Sequence, residues 1–92
     1  MDPFAQAALK IIAEQRNIIG PLALEQANKV KGLKIDWENQ KVEITGNKTE
    51  VIDALVAQYK NFFGQTSVEV CKDAVKSILQ SLPQAQVPNL LR

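Results

Sequence analysis

The residues able to do chemistry in this chain are few, and each lacks a partner. Histidine is absent and cysteine occurs once, at Cys71. A cysteine nucleophile needs a base or a cationic neighbour to form its thiolate. Cys71 has no imidazole to draw on. Its spacing from Val68, Val75 and Ile78 puts it on the apolar side of a helix, where a buried structural thiol is the ordinary outcome. Ser67, Ser77, Ser81 and Tyr59 meet the same obstacle, and no lysine spacing supplies the missing base. Asp36 and Glu43 offer two carboxylates on one strand face, too few oxygen ligands for a dedicated cation site. The four glycines are isolated, so they make no phosphate-cradling loop. The chain therefore reads as a non-enzyme, with no catalytic residue, cofactor or metal assigned.

Composition narrows the remaining classes. A chain of 92 residues is one domain. With 46% hydrophobic and 23% charged residues it is too apolar for intrinsic disorder. No run reaches the roughly 18 apolar residues of a membrane span. Eleven basic residues against ten acidic ones give a net charge of +1, without the basic excess that phosphate neutralisation demands of nucleic-acid-binding domains. The nearest approach to a basic patch is Lys29, Lys31, Lys34, Lys41 and Lys48, and Asp36, Glu38 and Glu43 are interleaved with it. One unpaired cysteine, and a start (Met1-Asp2-Pro3-Phe4) without a basic, apolar leader, lead us to expect a reducing cytoplasm.

The elements that position these residues follow from periodicity and punctuation. Asp2 caps a first helix with Pro3 at its first position, and Gly20-Pro21 stops it after Ile19. Pro21 opens a second helix that carries Leu22, Ala23, Leu24, Ala27 and Val30 and closes at Gly32. The apolar period then changes to two. Leu33, Ile35 and Trp37 alternate with Lys34, Asp36 and Glu38, and Val42 and Ile44 with Lys41, Glu43 and Thr45. This predicts a β-hairpin with a two-residue turn at Asn39-Gln40. Trp37 then pairs with Val42, Ile35 with Ile44 and Glu38 with Lys41, at the cost of setting Asp36 opposite Glu43.

Asn47 and Glu50 have capping-box spacing for a third helix, whose stripe is Val51, Ile52, Leu55, Val56, Tyr59, Phe62 and Phe63. After Gly64, Thr66 and Glu69 have the same spacing for a fourth, with Val68, Cys71, Ala74, Val75, Ile78, Leu79 and Leu82 inward. The predicted fold is α+β, a helix-rich single domain in the order α-α-β-β-α-α with one central antiparallel β-hairpin. It spans 1–82, with a C-terminal tail over 83–92 that is partly ordered or flexible and carries Val87, Leu90 and Leu91. A lone hairpin is marginal in water, so its Trp37 face is expected to lie on helices three and four.

Shifting the chain by 44 residues sets residues 12–20 on residues 56–64, with Ala13, Asn17 and Gly20 meeting Ala57, Asn61 and Gly64. Glu25 meets Glu69 further on. The expected meaning is a repeated helix–Gly–helix unit, two copies flanking the hairpin.

The run from Leu33 to Asn47, Leu-Lys-Ile-Asp-Trp-Glu-Asn-Gln-Lys-Val-Glu-Ile-Thr-Gly-Asn, resembles the central hairpin of heavy-metal-associated, copper-chaperone-type domains, and the helix after it fits. The resemblance covers about a third of the chain. That family's paired-cysteine loop and two outer strands are missing, so no metal site comes with it. The whole chain resembles small uncharacterised cyanobacterial proteins, a likeness that implies a cytoplasmic location and brings no activity.

The functional expectation is a cytoplasmic protein-interaction module able to self-associate as a homodimer. Its candidate interaction surface is Trp37, Lys34, Asp36 and Glu43 on the hairpin, with Leu90 and Leu91 of the tail. Unpaired strand edges motivate the homodimer, and an apolar tail lying over one edge is the competing arrangement. The alternative function is a nucleic-acid-associated regulator. The helix–Gly–helix junctions invite a helix-turn-helix reading, with Gln26, Asn28, Lys29 and Lys31, or Lys72, Asp73 and Lys76, facing a groove.

Overall fold

Asp2 opens the first helix as its residue type dictates. In a computed structural model, which describes residues 2–92, its carboxylate accepts the Phe4 N–H at 3.0 Å, and α1 runs Pro3–Ile19. The same carboxylate binds the Lys48 ammonium, tying the start of α1 to the start of α3 (Lys48–Phe63). Burial alone would raise the Asp2 pKa; the Lys48 and Phe4 hydrogen bonds outweigh it and hold the carboxyl below its ordinary value. Asn47 caps α3 by accepting the Glu50 N–H at 3.0 Å. The observed architecture is helix-rich α+β, with four α-helices and one two-stranded antiparallel hairpin.

Two helix boundaries depart from expectation. α2 is Leu22–Ala27 and stops short of Val30. The Lys29 and Val30 N–H groups bond the Gln26 and Ala27 carbonyls, a tightening into i−3 turns that ends the helix before Gly32. α4 is Gln65–Leu79, and its N-cap is Gly64 rather than Thr66. One glycine, at φ 80, separates it from α3, so Thr66 is already helical and exposed and cannot cap. Thr66→Ala is therefore expected to change stability by less than about 0.5 kcal/mol. A drop of the size of a lost cap, about 1 kcal/mol, in a urea melt would contradict this boundary.

The repeat is structural. α1 meets α2 at Gly20 (φ 67) as α3 meets α4 at Gly64. The Gly20 N–H bonds Arg16 O and the Gly64 N–H bonds Lys60 O; Ala23 N–H returns to Gly20 O and Ser67 N–H to Gly64 O. Every one of these pairs is separated by the same 44 residues. The packing obeys the same exchange. α1 lies on α2 as α3 lies on α4, and α1 lies on α4 as α3 lies on α2. The core between them includes Ala8, Ile11, Ile12, Ala23, Ala27, Ile52, Leu55, Val56, Tyr59, Val68, Cys71 and Val75. The two halves thus share equivalent junctions and exchange equivalent contacts, with α2 cut to six residues where α4 has fifteen.

β1 (Leu33–Asp36) and β2 (Lys41–Ile44) pair Leu33 with Ile44, Lys34 with Glu43, Ile35 with Val42 and Asp36 with Lys41. This corrects the expected register by two residues, and the turn is the four-residue loop 37–40. A two-residue slip leaves every side chain on its own face, so alternation cannot distinguish the two registers. Charge and turn chemistry can. The observed pairing replaces the Asp36–Glu43 repulsion with two opposite-charge pairs. It also frees Asp36 to hold the loop: its carboxylate accepts the Asn39 side-chain amide at 2.8 Å and the Asn39 N–H at 3.3 Å.

The hairpin also seats differently from expectation. It lies chiefly on α1, with β2 nearest, and only its base at Gly32 approaches α3. α4 has already spent its apolar face between α1 and α3. The tail, residues 83–92, fills the remaining groove along α3 and α4 through 3-10 turns at Gln84–Gln86 and Asn89–Leu91.

Candidate interaction surface

The polar residues of the hairpin sit together on its outward face. Lys34, Asp36, Lys41 and Glu43 are all exposed, and with Ile35 they line a shallow depression of about 420 Å³. The Asn39 side-chain and backbone hydrogen bonds hold the Asp36 carboxyl below its ordinary pKa. Beside this face, an open groove of about 660 Å³ runs between the hairpin and α3, bordered by Lys31, Leu33, Thr45, Glu50 and Val51.

The inward face is only half covered. Leu33 is buried, whereas Ile35, Trp37, Val42 and Ile44 are half-buried against the core. Trp37 packs at the margin of the core, with the Arg16 guanidinium of α1 5.1 Å above its ring.

Both long edges of the hairpin are without a strand neighbour, since the sheet has two strands. The Thr45 N–H bonds Gly32 O at 2.8 Å, which sets the alternation of the ladder. Lys34/Glu43 and Asp36/Lys41 are then the pairs bonded to each other. The N–H and C=O groups of Ile35, Val42 and Ile44 point outward, and among the described residues none has a backbone partner.

The tail residues belong elsewhere. The Leu90 N–H donates to the Asp53 carboxylate at 2.8 Å, and Leu90 is half-buried. This pinning drops Leu91 into the core at 4% exposure, so Leu91 is a core residue and not part of an interaction surface. Val87 and Pro88 are buried too, and the Thr49 hydroxyl donates to Gln86 O. The tail covers α3 and α4 and leaves the hairpin edges uncovered.

Three large apolar residues outside the hairpin are exposed: Ile18 at 61%, Phe62 at 57% and Leu22 at 47%. Phe62 was expected inward; instead it stands at the open end of α3, with Lys29 5.7 Å above its ring. Ile18 occupies the equivalent place on α1, 44 residues earlier, beside Glu14 and Asp73.

The thiol of Cys71 and the phenol of Tyr59 lie away from these surfaces. Cys71 is fully buried and accepts the Gln15 amide at 3.4 Å; burial pushes its thiol up to about 11, with the Gln15 contact acting the other way. Tyr59 is buried, its phenol raised by desolvation and by Cys71. Among the described residues no three His, Cys, Asp or Glu side chains converge as metal ligands, and no helix is long and apolar enough to cross a membrane. Cys71 is accordingly expected to react with thiol reagents at neutral pH only as fast as the native state opens. Labelling at the rate of a model thiol would show that it is not buried.

Sequence reasoning did not single out Gln15, a buried amide whose Nε2 donates to Ser67 O at 3.1 Å. Its counterpart is Tyr59, whose hydroxyl donates to Ala23 O at 2.7 Å. The repeat alignment, which sets Gln15 on Tyr59 and Ala23 on Ser67, was the signal that could have found them. Set against protein-family models, curated proteins and solved structures, the chain matches none of them.

Proposed function

We propose that this protein is a non-enzymatic, cytoplasmic interaction module that pairs with a second copy of itself along the β1 edge of its hairpin. The observation that carries this reading is the pair of uncovered strand edges with outward, unpartnered backbone groups. β1 is the better edge, because β2 lies nearest α1. An antiparallel β1–β1 contact centred on Ile35 lets the two Ile35 residues exchange N–H···O bonds across a two-fold axis. It also sets Lys34 of each copy opposite Asp36 of the other, and Leu33 opposite Trp37. The resulting four-stranded sheet overcomes the marginal stability of a lone hairpin.

Light scattering at micromolar concentration is expected to give twice the monomer mass of 10.2 kDa. Ile35→Pro removes the outward donor and none of the hairpin's own bonds, so it is expected to restore the monomer with the helical circular dichroism unchanged. A wild type that stays monomeric at high concentration refutes the proposal. Salt-dependent retention on a DNA or RNA matrix would favour the nucleic-acid-associated alternative.

A further inference from the structure

The surface that holds the two halves of this chain together is built from reciprocal contacts. Tyr59 of α3 donates to Ala23 O of α2, and Gln15 of α1 donates to Ser67 O of α4. Donors and acceptors in these two bonds are each 44 residues apart, the spacing of the repeat. The partially buried Gln58 amide likewise meets Gln26, across the same α3–α2 contact. Each half therefore offers the other the kind of surface that it receives, as the subunits of an isologous dimer do. The two bodies are joined by one covalent connection, the hairpin, and its loop 37–40 is the junction.

That loop is held weakly. Its hydrogen bonds are those from Asn39 to Asp36 and from Gln40 to the Trp37 carbonyl, all exposed to water. Gln40 has φ 53, the positive φ of a non-glycine residue, which extension of the loop would release. Four extended residues reach roughly 13 Å, enough to cross from one body to a neighbouring one.

We propose that the chain exchanges halves with a second copy of itself. Residues 2–36 of one copy pack on residues 41–92 of the other, and the reverse, with the two 37–40 loops extended as crossovers. The β1–β2 ladder, the Gln15 and Tyr59 bonds and the packing of α1 and α2 on α3 and α4 form twice, between chains instead of within one. What is given up is the set of loop hydrogen bonds and the seat of Trp37 beside Arg16, so concentration during folding selects between closed monomer and exchanged dimer. The occupant is the same as in the edge-paired reading, but the contact is different, and the two can fail separately.

Deleting residues 38–40 leaves Trp37 alone between Asp36 and Lys41, too short to close a hairpin. This variant is expected to have twice its own monomer mass, with the helical circular dichroism and cooperative melting of the wild type. A folded monomer would overturn the proposal. The wild type supplies an independent measurement that does not depend on the variant folding. Refolded from denaturant at high concentration, it is expected to yield a dimer that persists on dilution, resists Ile35→Pro, and mixes with a tagged chain only after unfolding. An edge-paired dimer separates on dilution and is lost with Ile35→Pro. Absence of any dilution-resistant dimer after such refolding refutes the exchange.

Discussion

Gly32→Ala is expected to destabilise the protein by about 2–4 kcal/mol, lowering the urea midpoint severely or abolishing folding. Two costs coincide at this position. Gly32 has φ 86, where a side chain costs roughly 1–2 kcal/mol. A Cβ there would also stand 2.7 Å from Thr45 O and 3.1 Å from Val51 Cγ2. The nearer atom is backbone, and it belongs to the residue whose N–H closes the base of the hairpin on Gly32 O. The clash with Thr45 O can be relieved only by parting the chain at the base of the hairpin, and the closer approach to Val51 by a shift of that side chain. Gly64→Ala is the internal control. Its φ is 80 and its ψ −171, but a Cβ there meets nothing within 4 Å, so it bears the backbone cost alone, about 1–3 kcal/mol. If Gly32→Ala costs no more than Gly64→Ala, Gly32 does not stand as close to the Thr45 carbonyl as described.

Tyr59→Ala is expected to cost about 3–5 kcal/mol. Tyr59 is fully buried and holds α3 to α2 through the Ala23 carbonyl, so truncation opens a ring-sized cavity at the junction of the halves. Tyr59→Phe keeps the ring and is expected to lose only about 0.5–1.5 kcal/mol, the hydrogen bond itself. The phenol also sets an alkaline limit. Burial raises its pKa above 10.0, and that of Cys71 from 9.0 to about 11. Between the unfolded and folded values the native state binds more protons than the unfolded chain, so stability falls as pH rises. The contribution is fully present below pH 9 and declines above it, first through Cys71 and then through Tyr59. Tyr59→Phe should flatten the second part of that decline in urea melts from pH 9 upward. An unchanged slope would mean that the phenol is not desolvated.

Much of the fold was legible in the residues themselves, because it depends on local chemistry. Asp2 before Pro3 and Asn47 before Glu50 mark helix starts that the structure keeps, since a cap is satisfied by backbone amides two or three residues away. The inward stripe of α4 follows from its period, and Val68, Cys71, Val75 and Ile78 are buried. The helix–Gly–helix repeat was visible as a spacing, and its two junctions carry equivalent hydrogen bonds.

What the tertiary structure alone decided has a common cause: local pattern is blind to it. A register slip of two keeps both faces, so only the Asp36–Asn39 turn and the cross-strand charges chose between pairings. Thr66 and Glu69 have the spacing of a cap, but with Gly64 as N-cap the helix starts two residues too early for Thr66 to serve. Leu91 looked like a surface residue in a polar tail until Asp53, 37 residues before Leu90, held that residue's amide and placed Leu91 between α3 and α4. The hairpin sits on α1, while α4 and the tail occupy the other apolar grooves. Gln15 has no local reason to be buried; it is buried because the other half of the chain offers it the Ser67 carbonyl. Sequence determined the units and their inward faces, because amide capping and side-chain period act over a few residues. Which face met which, and with what polar partner, was settled by competition among all the buried surfaces at once.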